Sequence, residues 1–181
     1  MDKPIIGFVG KARSGKDTAG KALLDRNFYR AGVADEIAVL VGMLLGQAPY
    51  ELRTADPETR ARFQEAGNLG RAKRPTFWLD KMWGRMLQLE IDGILAPPDG
   101  YYIPNIRFPV EAHWVKAKGG ILIGIIDRGG LEGDLADDPT ETAIGETLEL
   151  CDVKLSNVNT IDWLQQETRR CVTTWMEGGW E

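Results

Sequence analysis

Long apolar runs are missing from this chain. The longest, Ile37 to Leu45 with Gly42 inside it, is far short of the ~20 apolar residues a membrane-crossing helix needs, so no membrane partner is expected. Histidine is confined to His113, and the two cysteines, Cys151 and Cys171, do not stand at ligand spacing. That excludes the usual zinc centres. The amino-terminal Met-Asp-Lys-Pro also lacks the basic-then-apolar layout of a signal peptide. The cysteines therefore read as free thiols in a reducing cytoplasm. A broad basic surface is absent too: the net charge is −5, which argues against a nucleic-acid partner. With 181 residues, 43% of them hydrophobic, one domain with a real core is expected, without disulfides or metals to staple it.

What charge there is lies unevenly. Residues 1–90 carry 15 Lys and Arg against 11 Asp and Glu, whereas residues 91–181 carry 7 against 16. A basic excess confined to one half suits a small anionic ligand. Along the chain, Ile5–Val9 reads as a buried parallel strand, and Asp17–Arg30 as a helix. Asp35 is placed to cap a helix over Glu36–Leu45, and Ala48–Asp56 reads as a loop. Pro57 suits the first turn of a helix that continues over Glu58–Leu69, and a long helical pattern runs from Thr76 to Ile94. Tyr101–Ile106 reads as a strand weakened by Pro104, which costs a ladder hydrogen bond. A helix from Pro109 to Lys118, a strand over Ile121–Ile126, a short strand over Asp152–Leu155 and a helix over Ile161–Met176 complete the pattern. Strands alternating with helices predict an α/β fold with a parallel sheet flanked by helices. The helices between about residues 35 and 95 predict a substrate flap, and residues 127–140 a short lid loop.

Gly10-Lys11-Ala12-Arg13-Ser14-Gly15-Lys16-Asp17 matches the P-loop pattern G-x-x-x-x-G-K-[ST] at every place but the last. Its glycines let successive backbone N–H groups turn inward onto a phosphate, and the helix that follows sets its positive dipole end on the same anion. Gly10, Lys11, Arg13, Ser14, Gly15, Lys16, Asp17 and Thr18 are thus the candidate contacts to the phosphates of ATP. Asp17, where Ser or Thr normally stands, and Thr18 are the candidate ligands for Mg²⁺.

This loop, continued as Asp17-Thr18-Ala19, closely resembles the first motif of the bacteriophage-type deoxynucleoside monophosphate kinases. Ile103-Pro104-Asn105-Ile106-Arg107-Phe108-Pro109-Val110-Glu111-Ala112, followed by Lys118-Gly119-Gly120-Ile121, resembles their second block. Weaker echoes are Val33-Ala34-Asp35, Arg62 to Gly67 with Phe77-Trp78, Asp137 to Glu141, and the spacing of Asp152 to Asn157. Asn105 departs from the family by replacing an Asp. The resemblance implies a P-loop kinase-like fold and phosphoryl transfer from ATP, with Mg²⁺, to a (deoxy)nucleoside monophosphate. It also implies a place in the cytoplasm, the host's if the gene is phage-borne, and a homodimer is a compatible assembly.

Within that frame Lys16, Arg107 and Arg128 are the candidate catalytic residues. Arg107 stands where a strand ends, the place where open α/β sheets put their ligands, although a structural pair with Glu111 is the alternative. Arg128 opens the glycine-rich lid. Arg62 and Arg71 would meet the acceptor phosphate or ribose. Asp35 would contact the acceptor or merely cap its helix, and Trp78 would stack on a base or belong to the core. Two other functions fit the loop. One is a different small-molecule kinase of phosphomevalonate type, which has a similar Ser-Gly-Lys-Asp loop; the other is a nucleotide-binding regulatory protein without transfer.

Overall fold

The computed structural model describes residues 3–52, 57–129 and 139–179. The chain divides into two compact units, residues 1–30 with 97–181, and residues 31–96.

The first unit is built on five parallel strands: β1 (Ile5–Val9), β2 (Phe28–Arg30), β3 (Gly100–Ile106), β4 (Ile121–Ile126) and β5 (Val153–Ser156), in the spatial order β2-β3-β1-β4-β5. β1 is buried along its whole length, and β4 all but its last residue, which is why both read as continuous apolar runs instead of alternating ones. Around them lie α1 (Lys16–Lys21), α6 (Pro109–Ala117), α7 (Pro139–Glu149) and α8 (Ile161–Met176). Phe8, Leu23, Tyr102, Ile123, Leu164 and Val172 belong to one apolar cluster in this unit.

Three sequence expectations need correction here. The helix expected over 17–30 stops at Lys21; a single 3-10 turn, Leu24–Arg26, and a left-handed Asn27 (φ +56°) lead instead into β2. Leu23, Leu24 and Phe28 mimic helical spacing, yet Phe28 is buried and Tyr29 exposed as a strand requires. Pro104 does not weaken β3. The β1–β3 register runs Gly7 to Ile103 and then Val9 to Ile106, so the pairing slips beside the proline. β2 has already ended opposite Tyr102. No ladder hydrogen bond is asked of residue 104, as expected for a proline at a bulge. Finally, α7 occupies a stretch for which no element was expected.

The second unit is helical: α2 (Val33–Leu45), α3 (Pro49–Leu52), α4 (Pro57–Lys73) and α5 (Phe77–Ile91). Ile37, Val41, Leu52, Trp78, Leu79 and Met82 are among its buried apolar residues. α3 falls in the stretch read as a loop. α2 starts two residues before Asp35, with Gly32 as its cap, so Asp35 sits inside the first turn and does not cap the helix. α5 ends at Ile91, short of the expected Ile94. Among the described residues no helix is long and apolar enough to cross a membrane.

Candidate functional site

β1 is buried, and the chain must turn sharply after it to start α1. Three residues of the turn take left-handed φ values: Gly10 (+155°), Arg13 (+60°) and Gly15 (+105°). At Gly10 a Cβ would lie 2.6 Å from both Ile125 O and Ser14 Oγ, so only glycine fits there. The Ser14 N–H donates to Lys11 O (3.2 Å), closing the curl. Lys16, 7% exposed, turns back into it: its ammonium donates to Gly10 O (2.7 Å), Lys11 O (2.6 Å) and Ser14 Oγ (3.4 Å). A glycine-rich curl at the start of a helix can set N–H groups and the positive dipole end toward an anion; here the Lys16 ammonium is occupied by oxygens of the loop itself. Lys11, Arg13 and Asp17 are exposed around it, and Thr18 is half-buried.

Two further segments touch the loop. Beyond β4, Asp127 takes a left-handed φ of +63° and Gly129 one of +84°. A Cβ on Gly129 would fall 2.3 Å from Ala12 O and 2.5 Å from Ser14 N. This turn therefore rests directly on the loop of residues 10–16, with Arg128 exposed beside the contact. Of the lid expected over 127–140, residues 130–138 lie outside the described residues, and with them Asp137 and Asp138 of the segment that resembles the family's. At the end of β5, the Asn157 side-chain amide donates to Ser14 O (2.7 Å).

Arg107 follows β3, at the carboxyl end of the sheet. Its N–H and that of Phe108 donate to Glu111 Oε2 (2.8 and 3.2 Å), and the buried Thr147 hydroxyl of α7 donates to its carbonyl (2.9 Å). Glu111 thus supplies the N3 half of a capping box at the start of α6, the N-cap Phe108 having no side-chain acceptor to return. Glu111 Oε2 accepts from these two backbone groups, while the Arg107 side chain is exposed. Tyr102, on β3, has its phenol pKa raised; burial is the main cause, Arg30 opposes it and Asp17 adds to it. Asp17 and Arg30 are therefore both within electrostatic reach of this ring.

The structure and its relatives agree on architecture. No family model matches the chain. A protein of Ictalurid herpesvirus 1 (strain Auburn), described as uncharacterized protein ORF76, is 27% identical over 176 residues, which is 94% of this chain and 69% of that protein. A dephospho-CoA kinase from Campylobacter jejuni superposes with a TM-score of 0.54 at 15% identity, covering 97% of this chain and 98% of its own. TT1252 from Thermus thermophilus does so with a TM-score of 0.57 at 18% identity, covering 96% and 98%. The fold matches that of P-loop kinases.

The helical unit, taken by itself, holds the other candidates. Trp78 is buried, its indole N–H donating to Gly67 O (3.1 Å) and its ring set edge-on to Phe77 (5.0 Å between centroids). Packing claims most of this side chain. Its remaining edge lines a largely apolar groove of about 410 Å³ with Leu40, Leu44, Leu69 and Phe77, and Arg62 and Lys73 are among the groove's charged residues. Arg62 and Trp78 are thus brought to one groove. Arg62 also pairs with Glu58 (2.9 Å), and Arg71 donates to Asn68 Oδ1 (2.9 Å). A second, polar groove is lined by Glu36, Arg74, Asp80, Lys81 and Arg85, with Arg85–Glu36 and Arg74–Asp80 ion pairs at 3.1 and 2.9 Å.

Sequence reasoning assigned no role to Asn157, Gly129 or Thr147. Asn157 was visible as part of a spacing; the other two act through contacts with residues far away in the chain, which periodicity does not register.

Proposed function

We propose that this chain is a kinase transferring the γ-phosphoryl group of ATP to a (deoxy)nucleoside monophosphate. The observation that carries the reading is the curled loop of residues 10–16 with the Lys16 ammonium turned into it. Phosphoryl transfer asks a protein mainly for positioning and charge neutralisation, and a buried cation in a curled loop at the start of a helix supports both. In the reaction an acceptor phosphate oxygen bonds to the γ-phosphorus while the bond from that phosphorus to the β–γ bridging oxygen breaks. Negative charge builds on the departing ADP, where Lys16 acts. Arg107 and Arg128 would offer forked donors to the approaching anions, which Lys cannot match in geometry.

The donor set suits Mg²⁺. Among the described residues no group of three or more His, Cys, Asp or Glu forms a cage, and Mg²⁺ typically takes one or two protein oxygens and completes its shell with phosphates and water. Asp17 and Thr18 would hold it, and when bound it would neutralise the β- and γ-oxygens. For the acceptor, the groove shared by Arg62 and Trp78 supports a base-and-phosphate ligand, with Arg71 and Asp35 elsewhere on the same helical unit.

The test is ADP release from ATP with each of the eight common ribo- and deoxyribonucleoside monophosphates, with phosphomevalonate, and with dephospho-CoA, the acceptor in the name of the Campylobacter relative. Release that depends on a nucleoside monophosphate and falls by about 10²-fold or more in Lys16→Ala is the expected result. Release with phosphomevalonate or dephospho-CoA alone reassigns the acceptor. ATP binding without acceptor-dependent release makes the chain a nucleotide-binding regulator.

A further inference from the structure

Asn157 has no part in the chemistry above, yet it is 6% exposed and aimed at the phosphate loop. Its own backbone is fixed: the Asn157 N–H donates to Ile126 O (3.0 Å), prolonging the β4–β5 ladder past Ser156. From that anchor the side-chain amide reaches 143 residues back along the chain and donates to Ser14 O at 2.7 Å, in a buried contact. The approach is so close that a Cβ on Gly15 would lie 2.4 Å from the same nitrogen. Gly15 is therefore required twice, for its left-handed φ and to leave room for this amide.

The consequence follows from the planarity of the peptide bond. In a trans peptide the C=O and the following N–H point in opposite directions. A hydrogen bond that draws Ser14 O outward to β5 must turn the Gly15 N–H inward, to the concave side where Lys16 lies. Without the bond, this peptide unit joins a buried carbonyl that lacks its partner to a glycine, the residue least resistant to a flip. A flipped peptide would present an oxygen to the incoming phosphate in place of a donor.

We infer that Asn157 is a positioning residue for phosphate binding: it locks the Ser14–Gly15 peptide so that the Gly15 N–H faces the anion. This rests on residues 10–17 being a phosphate loop, but not on any acceptor or on turnover. The probes are accordingly ADP and inorganic pyrophosphate, titrated calorimetrically against the full chain, with the Gly15 amide proton followed by NMR. Asn157→Ala removes the donor; Asn157→Asp keeps the shape and sets an acceptor against Ser14 O. Expected are at least tenfold weaker binding of both probes in Asn157→Ala and weaker still in Asn157→Asp. The downfield movement of the Gly15 amide on ADP binding, present in the parent, should be lost in both. If Asn157→Ala does not fold, Asn157→Ser, which retains a smaller donor, takes its place and should fall between parent and Asp. A folded variant that binds ADP as the parent does, with the Gly15 shift intact, overturns the inference and leaves the kinase reading standing. A parent that binds neither probe overturns the phosphate loop and this inference together.

Discussion

Arg107 and Glu111 stand one helical turn apart and divide their work. The carboxylate of Glu111 is engaged by the N–H groups of residues 107 and 108, so it shapes the start of α6. The arginine, gripped at its N–H by Glu111 and at its carbonyl by Thr147, keeps its side chain outward. Substituting each should then give different phenotypes. Arg107→Lys retains one charge but loses the fork and should lower turnover by roughly 10-fold or more, with ADP affinity and melting temperature unchanged. Glu111→Gln should cost about 0.5–2 kcal/mol of stability through the cap and leave turnover per folded molecule near that of the parent. Melting curves, ADP titrations and rates on both proteins check the division, and equal loss of stability in both would make the pair structural.

At the scale of elements, the turn after β4 has more consequence than its three described residues suggest. Gly129 is pressed on Ala12–Ser14 with φ +84°, a conformation that strains any other residue by ~1–3 kcal/mol. Gly129→Ala must either move the turn or deform the phosphate loop. Weaker ADP binding, by about tenfold, at a melting temperature lowered by a few degrees is the expected outcome; unchanged affinity would show that the turn yields and the loop does not. Much of this layer was legible in the sequence. β1, β4 and α8 follow from apolar runs and helical spacing, and the loop from its glycines and lysine. β2 was not legible, because three residues on a sheet edge offer no period to detect. Nor was α7: its Ile144 and Thr147 are the buried residues described in an otherwise polar stretch. The cap of α2 was misplaced by three residues because Asp35 has the right chemistry for a cap, whereas the chain turns at Gly32.

At the scale of the whole molecule, burial leaves a mark on the response to pH. Cys151, half-buried and beside Asp152, has its thiol pushed up to about 12 from the ordinary 9, mostly by burial and then by the Asp152 charge. Tyr102 and Cys171 are shifted upward as well, each chiefly by burial. A raised pKa means that the folded chain holds the proton more tightly than the unfolded one. The corresponding stability is complete below the unfolded value and is lost as pH climbs toward the folded one. Cys151 should therefore contribute no pH dependence between 6 and 8, and its contribution should decline above pH 9. Urea midpoints of the parent and Cys151→Ala measured from pH 7 to pH 10.5 should show the parent falling more steeply at the alkaline end; parallel curves would contradict the burial argument. Both thiols should likewise resist alkylation at neutral pH until the chain unfolds.

The bond from Asn157 to Ser14 also sets an order of events during synthesis. The loop of residues 10–16 is synthesised well before the side chain that bonds to it, which lies 143 residues further along the chain. At ~5–20 residues per second the interval is roughly 7–29 s. Through that interval the nascent chain carries the loop's sequence without its lock, so under the proposed function a nucleotide would be a weak folding template. On the proposed function, ATP would reach its full affinity only once β5 has been translated and docked.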